Sequence, residues 1–121
     1  MKKVLVVEDD KFLANAYRAG FEGEGLEVSL AFDGEEALAM ANQTKPDVII
    51  LDILIPKIDG FSVLQQLKAN KELEHIPVII ASNLGQKQDI DKGLELGATD
   101  FIIKSESSVT EILNKIKNVL K

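Results

Sequence analysis

The sequence predicts an α/β fold: a doubly wound, five-stranded parallel sheet covered by helices on both faces. Two observations carry this expectation. Short apolar runs, rich in Val and Ile, alternate along the chain with stretches whose apolar residues recur at helical spacing. Several of these runs also stop at a polar or charged residue, namely Glu8-Asp9-Asp10, Asp52, Ser82-Asn83 and Lys104. In open α/β sheets, the carboxyl ends of the strands are where ligands bind.

The elements follow in order. Lys3–Val7 is β-branched and apolar and reads as a buried strand. Residues 11–23 place Leu13, Ala16, Tyr17, Gly20 and Phe21 at helical spacing, with Gly20 weakening the helix and Gly23 and Gly25 suiting its end. Residues 28–31 form a short second strand. Asp33-Gly34 makes a turn, and a short helix over 36–42 carries Ala37, Leu38, Met40 and Ala41. Pro46 lies past its end, where a helix cannot continue. The run Val48–Leu51 is an unbroken apolar stretch bounded by turn signals, the pattern of a strand buried on both faces. It presents Asp52 and enters a turn marked by Pro56 and Asp59-Gly60.

A helix over 60–70 directs Phe61, Val63, Leu64 and Leu67 inward. Residues 77–81 form the fourth strand, 87–96 a helix closed by Gly97, and 101–103 the fifth strand. The last helix spans 109–120, with Val109, Ile112, Leu113, Ile116, Val119 and Leu120 on one side.

Composition limits the function. A chain of 121 residues suffices for one domain with a real core, read here as spanning 1–121. With 14 Lys+Arg against 20 Asp+Glu, the net charge of −6 argues against a nucleic-acid partner, which would need a basic face. No Cys is present, so disulfides, thiolate metal cages and thiol nucleophiles are excluded. Only four apolar residues separate Met1-Lys2-Lys3 from Glu8, too few for a signal peptide or a membrane span. A cytoplasmic protein without a membrane partner is expected.

The polar strand ends suggest chemistry. Asp9 and Asp10 follow strand one, Asp52 strand three, Ser82 strand four and Lys104 strand five. Carboxylates crowded together repel one another unless a cation joins them, and hard oxygen donors suit Mg²⁺, with Mn²⁺ as a substitute. An Asp can act as a nucleophile and form an aspartyl phosphate. A neighbouring Lys and Mg²⁺ would neutralise charge on the phosphoryl group, and the Ser82 hydroxyl could hydrogen-bond its oxygens. For a lone Asp, capping the next turn would be the simpler reading.

Taken together these pieces resemble the receiver domains of two-component response regulators over the whole chain. The matching residues are Asp9-Asp10, Ile49-Ile50-Leu51-Asp52, Pro56, Asp59-Gly60, Ser82 after Ile79-Ile80-Ala81, Gly97-Ala98 and Phe101-Ile102-Ile103-Lys104. The resemblance implies a flavodoxin-like receiver fold with strand order 2-1-3-4-5. It implies Asp52 as phosphoacceptor, with Asp9, Asp10, Asp52 and the backbone carbonyl of Leu54 as Mg²⁺ ligands. Ser82 and Lys104 would hold the phosphoryl group, and Ser82 and Phe101 would act as switch residues. The donor would be a sensor histidine kinase or a histidine phosphotransfer protein. Such a domain is a phosphoacceptor that catalyses only its own phosphorylation and dephosphorylation. With no room for an output domain, it would act by binding a downstream protein target or by passing the phosphoryl group on in a phosphorelay.

Three features depart from the family pattern. Asn83 stands where Ala or Gly is usual and is expected to narrow the approach to Asp52. Leu54 and Leu84 are apolar at positions that tune the access of water. Ser105 replaces the usual Pro. A non-Pro cis bond costs ~3–4 kcal/mol, so a trans 104–105 bond is expected, with a shorter reach for Lys104. Two alternatives stand beside this reading. One is a receiver-like scaffold that has lost phosphorylation. The other is a haloacid-dehalogenase-type phosphatase, which would want a second acid where Leu54 stands. His75, the one His, reads as a solvated loop residue, and the glycines at 20, 23 and 25 fall at a helix end, away from any strand-to-helix turn that could hold a dinucleotide.

Overall fold

Apolar runs become strands and periodic stretches become helices over residues 1–121 of the computed structural model. The order is β1 (Lys3–Val7), α1 (Lys11–Glu22), β2 (Glu27–Ala31), α2 (Gly34–Thr44), β3 (Val48–Leu51), α3 (Gly60–Ala69), β4 (Val78–Ser82), α4 (Lys87–Glu95), β5 (Asp100–Ile103) and α5 (Val109–Val119). A single turn of 3₁₀ helix, Lys104–Glu106, follows β5. All strands pair in parallel in the order β2-β1-β3-β4-β5. The direction of winding reverses between β1 and β3, which sets the switch point of the sheet beside the end of β3.

Side chains alternate across a strand, so each central strand feeds both faces. Val4, Val6, Val48, Ile50, Ile79, Ala81 and Ile102 pack on one face with Tyr17 and Phe21 of α1 and with Ile112, Leu113 and Ile116 of α5. Leu5, Val7, Ile49, Leu51, Val78 and Ile80 pack on the other with Ala37 and Ala41 of α2 and Val63, Leu64 and Leu67 of α3. Each fully buried Leu or Ile contributes about 1.5–3 kcal/mol, so the two layers together hold the sheet in register.

Local chemistry moves some element ends. The helix expected over 36–42 runs from Gly34 to Thr44, because the Asp33 carboxylate caps it by accepting from Glu36 N–H at 2.8 Å. In α1 it is Ala14, with Tyr17 and Phe21, that is buried, and Ala16 is exposed. Gly20 lies inside that helix where a Cβ would stand 2.7 Å from a methyl of Val109, so the missing side chain lets α5 approach α1. His75 is exposed in the turns before β4. No helix is long and apolar enough to cross a membrane.

Candidate functional site

The site is built by carrying the strand alternation one residue past β1 and β3. Glu8 N–H donates to the Ala31 carbonyl at 3.0 Å and Asp52 N–H to the Val7 carbonyl at 3.1 Å, so both residues extend their strand ladders. Their parity matches Val6 and Ile50, which directs both carboxylates to the sheet face covered by α1 and α5. Both are almost fully buried, Glu8 at 2% and Asp52 at 3% exposure.

Lys104 closes the pair. Its Nζ donates to Glu8 Oε1 and to Asp52 Oδ2, each at 2.7 Å. The other Asp52 oxygen accepts from Leu54 N–H at 3.2 Å. Burial pushes the Glu8 carboxyl above its ordinary range, against the hydrogen bonds from Lys104 and from Asp10 N–H. Burial alone would lower the pKa of Lys104, but the hydrogen bonds to Asp52 and Glu8 outweigh it and hold the ammonium above its ordinary value. All peptide bonds are trans, as expected for the Lys104–Ser105 bond, and Lys104 nonetheless reaches both acids.

The acidic residues after β1 divide differently from the expectation. Carboxylate oxygens of Glu8, Asp9 and Asp52 lie within 4.8 Å of one another, and Asp9 is the exposed member. Asp10 is not in this group. Its carboxylate is the N-cap of α1 and accepts from Phe12 N–H at 2.9 Å and Leu13 N–H at 3.1 Å. The expected carboxylate trio of Asp9, Asp10 and Asp52 is therefore corrected to Glu8, Asp9 and Asp52. Two signals in the sequence pointed this way. Glu8 continues the strand alternation toward the same face as Asp52, and Asp10 immediately precedes the first helical residue, the ordinary place for a cap.

The loop after β3 carries the site's backbone. Asp59 caps α3 by accepting from Ser62 N–H at 3.1 Å and Ser62 Oγ at 2.9 Å. Gly60 follows because any Cβ there would collide with the Asp52 carbonyl. Lys57 has a φ of 70°, a left-handed value uncommon for a non-glycine residue, in the tight turn between Pro56 and Asp59. Leu54 is 58% exposed on this loop.

Ser82 is fully buried at the end of β4, and its Oγ accepts from Leu84 N–H at 3.3 Å. Leu84 is half-buried and Asn83 is exposed. Asn83, expected to narrow the approach to Asp52, accepts at its Oδ1 from Ser105 N–H at 2.9 Å, across two loops. Phe101 is half-buried against the α2 and α3 face and lies beside Gly93 of α4, where a Cβ would stand 3.1 Å from its ring.

The sequence and the fold match known proteins. The family model for the response regulator receiver domain matches residues 4–117. The transcriptional regulator RpaA of Synechocystis, described as DNA-binding, is 36% identical over 121 residues, which make up all of this chain and 50% of that protein. The regulatory protein PhoP of Bacillus subtilis, named for alkaline phosphatase synthesis, is 38% identical over 99% of this chain and 49% of its own length. The chain thus spans about half the length of these curated relatives. The receiver domain of the Francisella response regulator 1452 superposes with a TM-score of 0.92 at 35% identity, covering 99% of this chain and 97% of that one. The chemotaxis protein CheY4 of Vibrio cholerae superposes with a TM-score of 0.92 at 28% identity, covering 99% of both chains. A match of this extent, in sequence and in fold, makes the chain a member of the response regulator receiver domain family.

Proposed function

We propose that the domain is a phosphorylation switch in which Asp52 accepts a phosphoryl group from a phosphohistidine donor. The observation that carries this reading is the Lys104 ammonium held at 2.7 Å from a buried Asp52 carboxylate. An Asp oxygen forms the new O–P bond, the P–N bond of the donor breaks, and the departing imidazole takes up a proton. Lys104 and the Ser82 hydroxyl then meet the phosphoryl oxygens, Lys104 with its charge and Ser82 with a hydrogen bond.

The carboxylate trio fits a hard divalent cation, because it supplies oxygen donors alone and within one ion's reach of each other. Glu8, Asp9, Asp52 and the Leu54 carbonyl would hold Mg²⁺, or Mn²⁺ in its place. When bound, the ion offsets negative charge on the transferring phosphoryl group. Leu54 lies in the loop after β3 and Leu84 in the loop after β4, and neither side chain can hydrogen-bond or orient a water, which supports a long-lived phosphoryl group. Ser82 and Phe101 would carry the change to a partner-binding surface. The partners proposed are a sensor histidine kinase or phosphotransfer protein on the donor side and a downstream protein target.

The test is incubation with acetyl phosphate and Mg²⁺ followed by intact-mass measurement. Wild type should gain the mass of one phosphoryl group, and Asp52→Asn should gain none. Equal labelling of the two would place the modification elsewhere, and no labelling of wild type would favour a receiver-like scaffold that has lost phosphorylation.

A further inference from the structure

From the contact between the β4–α4 and β5–α5 loops we infer that Asn83 is a positioning residue, a latch that ties the arm bearing Ser82 to the arm bearing Lys104. The parallel ladder between β4 and β5 ends at the pair Ser82 and Ile103. One residue later the chain after β5 turns into the 3₁₀ segment Lys104–Glu106, and the strand ladder cannot follow it. The first N–H groups of such a turn lack partners within it. Ile103, at the cap position, makes no side-chain cap bond. The Asn83 amide supplies one from 22 residues away, accepting from Ser105 N–H at 2.9 Å. The assignment of the amide oxygen follows from the partner, because only the oxygen can accept from an N–H.

A second contact joins the same two arms. Gly85 lies so close to Ile103 that a Cβ there would stand 2.9 Å from the Ile103 side chain. Lys104 sits between these two attachments, Ile103 on one side and Ser105 on the other, so the latch fixes the base of the side chain that reaches Glu8 and Asp52. Asn83 and Ser105, two of the departures from the family's usual residues, thereby act as one device. A proline at 105 would have no N–H to offer, and a small apolar residue at 83 would have nothing to accept with. The one side-chain hydrogen bond Asn83 makes goes to the residue after Lys104, so it acts through Lys104.

The role in phosphorylation rests on Asp52 being the phosphoacceptor; the latch itself does not. The experiment compares wild type with Asn83→Ala and Asn83→Asp, the latter keeping an acceptor oxygen. Nuclear magnetic resonance reads amide-proton exchange at Ser105 and the exchange of the Lys104 ammonium protons. Kinetics with acetyl phosphate and Mg²⁺ read the maximal phosphorylation rate and the apparent KM separately. In Asn83→Ala, Ser105 exchange should quicken by roughly 5- to 10-fold, the scale of one hydrogen bond. Lys104 ammonium exchange should quicken with it, and the maximal rate should fall while KM holds. Asn83→Asp should restore the protection at Ser105 and Lys104. Unchanged Ser105 exchange in Asn83→Ala would overturn the latch. Quickened Ser105 exchange with wild-type Lys104 behaviour and an unchanged rate would overturn its positioning role. If wild type takes no phosphoryl group, the phosphoacceptor reading fails and the two exchange measurements still decide the latch.

Discussion

Two lysines in this molecule make ion pairs of nearly equal length and opposite physical meaning. Lys104 meets Glu8 and Asp52 at 2.7 Å at the rim of the sheet, and Lys117 meets Glu24 at 2.6 Å on the helical surface. The Lys104 side chain is 12% exposed and its partners 2% and 4%, whereas Lys117 and Glu24 are 50% and 46% exposed. On the surface, water screens each charge and the pair adds little. At the rim, one cation is shared by two desolvated acids, and removing it would leave both buried without a partner of opposite charge. Distance says that both pairs exist, and burial says which one matters. A cluster held in mutual dependence responds strongly when charge is added, and adding charge at Asp52 is what the proposed switch does.

The comparison can be broken most directly at Lys104. Lys104→Met leaves Glu8 and Asp52 buried without a cation and should lower the unfolding free energy by about 3 kcal/mol at neutral pH. Part of the loss should return in mild acid as Glu8 takes up a proton. Urea denaturation at two pH values reads both effects. A loss well under that size would mean that burial does not separate the two lysines.

A smaller effect distinguishes Glu8 from Asp10, which are two residues apart and both acidic. Asp10→Ala removes a helix cap and should cost about 1 kcal/mol while leaving most of the Mg²⁺ affinity. Glu8→Gln should weaken Mg²⁺ binding far more, as titration calorimetry would show. The pH dependence has a definite sign. Glu8's raised pKa means that its contribution to stability is fully present below its ordinary value of 4.5 and is lost as pH rises through the raised one. The stability of Glu8→Gln relative to wild type should therefore improve as pH rises from 4.5. Stronger loss of Mg²⁺ binding in the Asp10 variant would reverse the assignment of the two acids.

The smallest effect belongs to the surface pair. Lys117→Met should leave the denaturation midpoint unchanged within error at physiological salt. A clear drop would show that exposed pairs carry stability here and would weaken the contrast with the rim.

Much of this molecule is legible in one chain. Runs such as Val48–Leu51 are too short and too apolar to be anything but strands buried on both faces. Alternation of such runs with helical periodicity leaves a parallel sheet as the economical arrangement. Asp52, Ser82 and Lys104 stand out in the sequence because each ends or follows a strand, and parallel strands present those ends along one edge. Strand ends are encoded locally, in the residue where hydrophobicity stops.

What the sequence could not decide involved partners distant along the chain. Glu8, Asp9 and Asp10 look alike as letters. The side chain of Glu8 enters the rim because β1 continues one residue in register with β2, and Asp10 leaves it because α1 begins and draws its carboxylate onto free N–H groups. Gly20 read as a weak point of a helix, and its purpose appears only when Val109 is seen against it. Asn83 and Ser105 read as two unrelated departures until the ends of β4 and β5 stand side by side. Local periodicity and turn chemistry determined the elements, their order and the edge that carries the polar residues. Tertiary structure alone decided which acids share Lys104 and which amide oxygen meets which N–H, because burial and hydrogen bonding between distant segments exist only once the layers have packed.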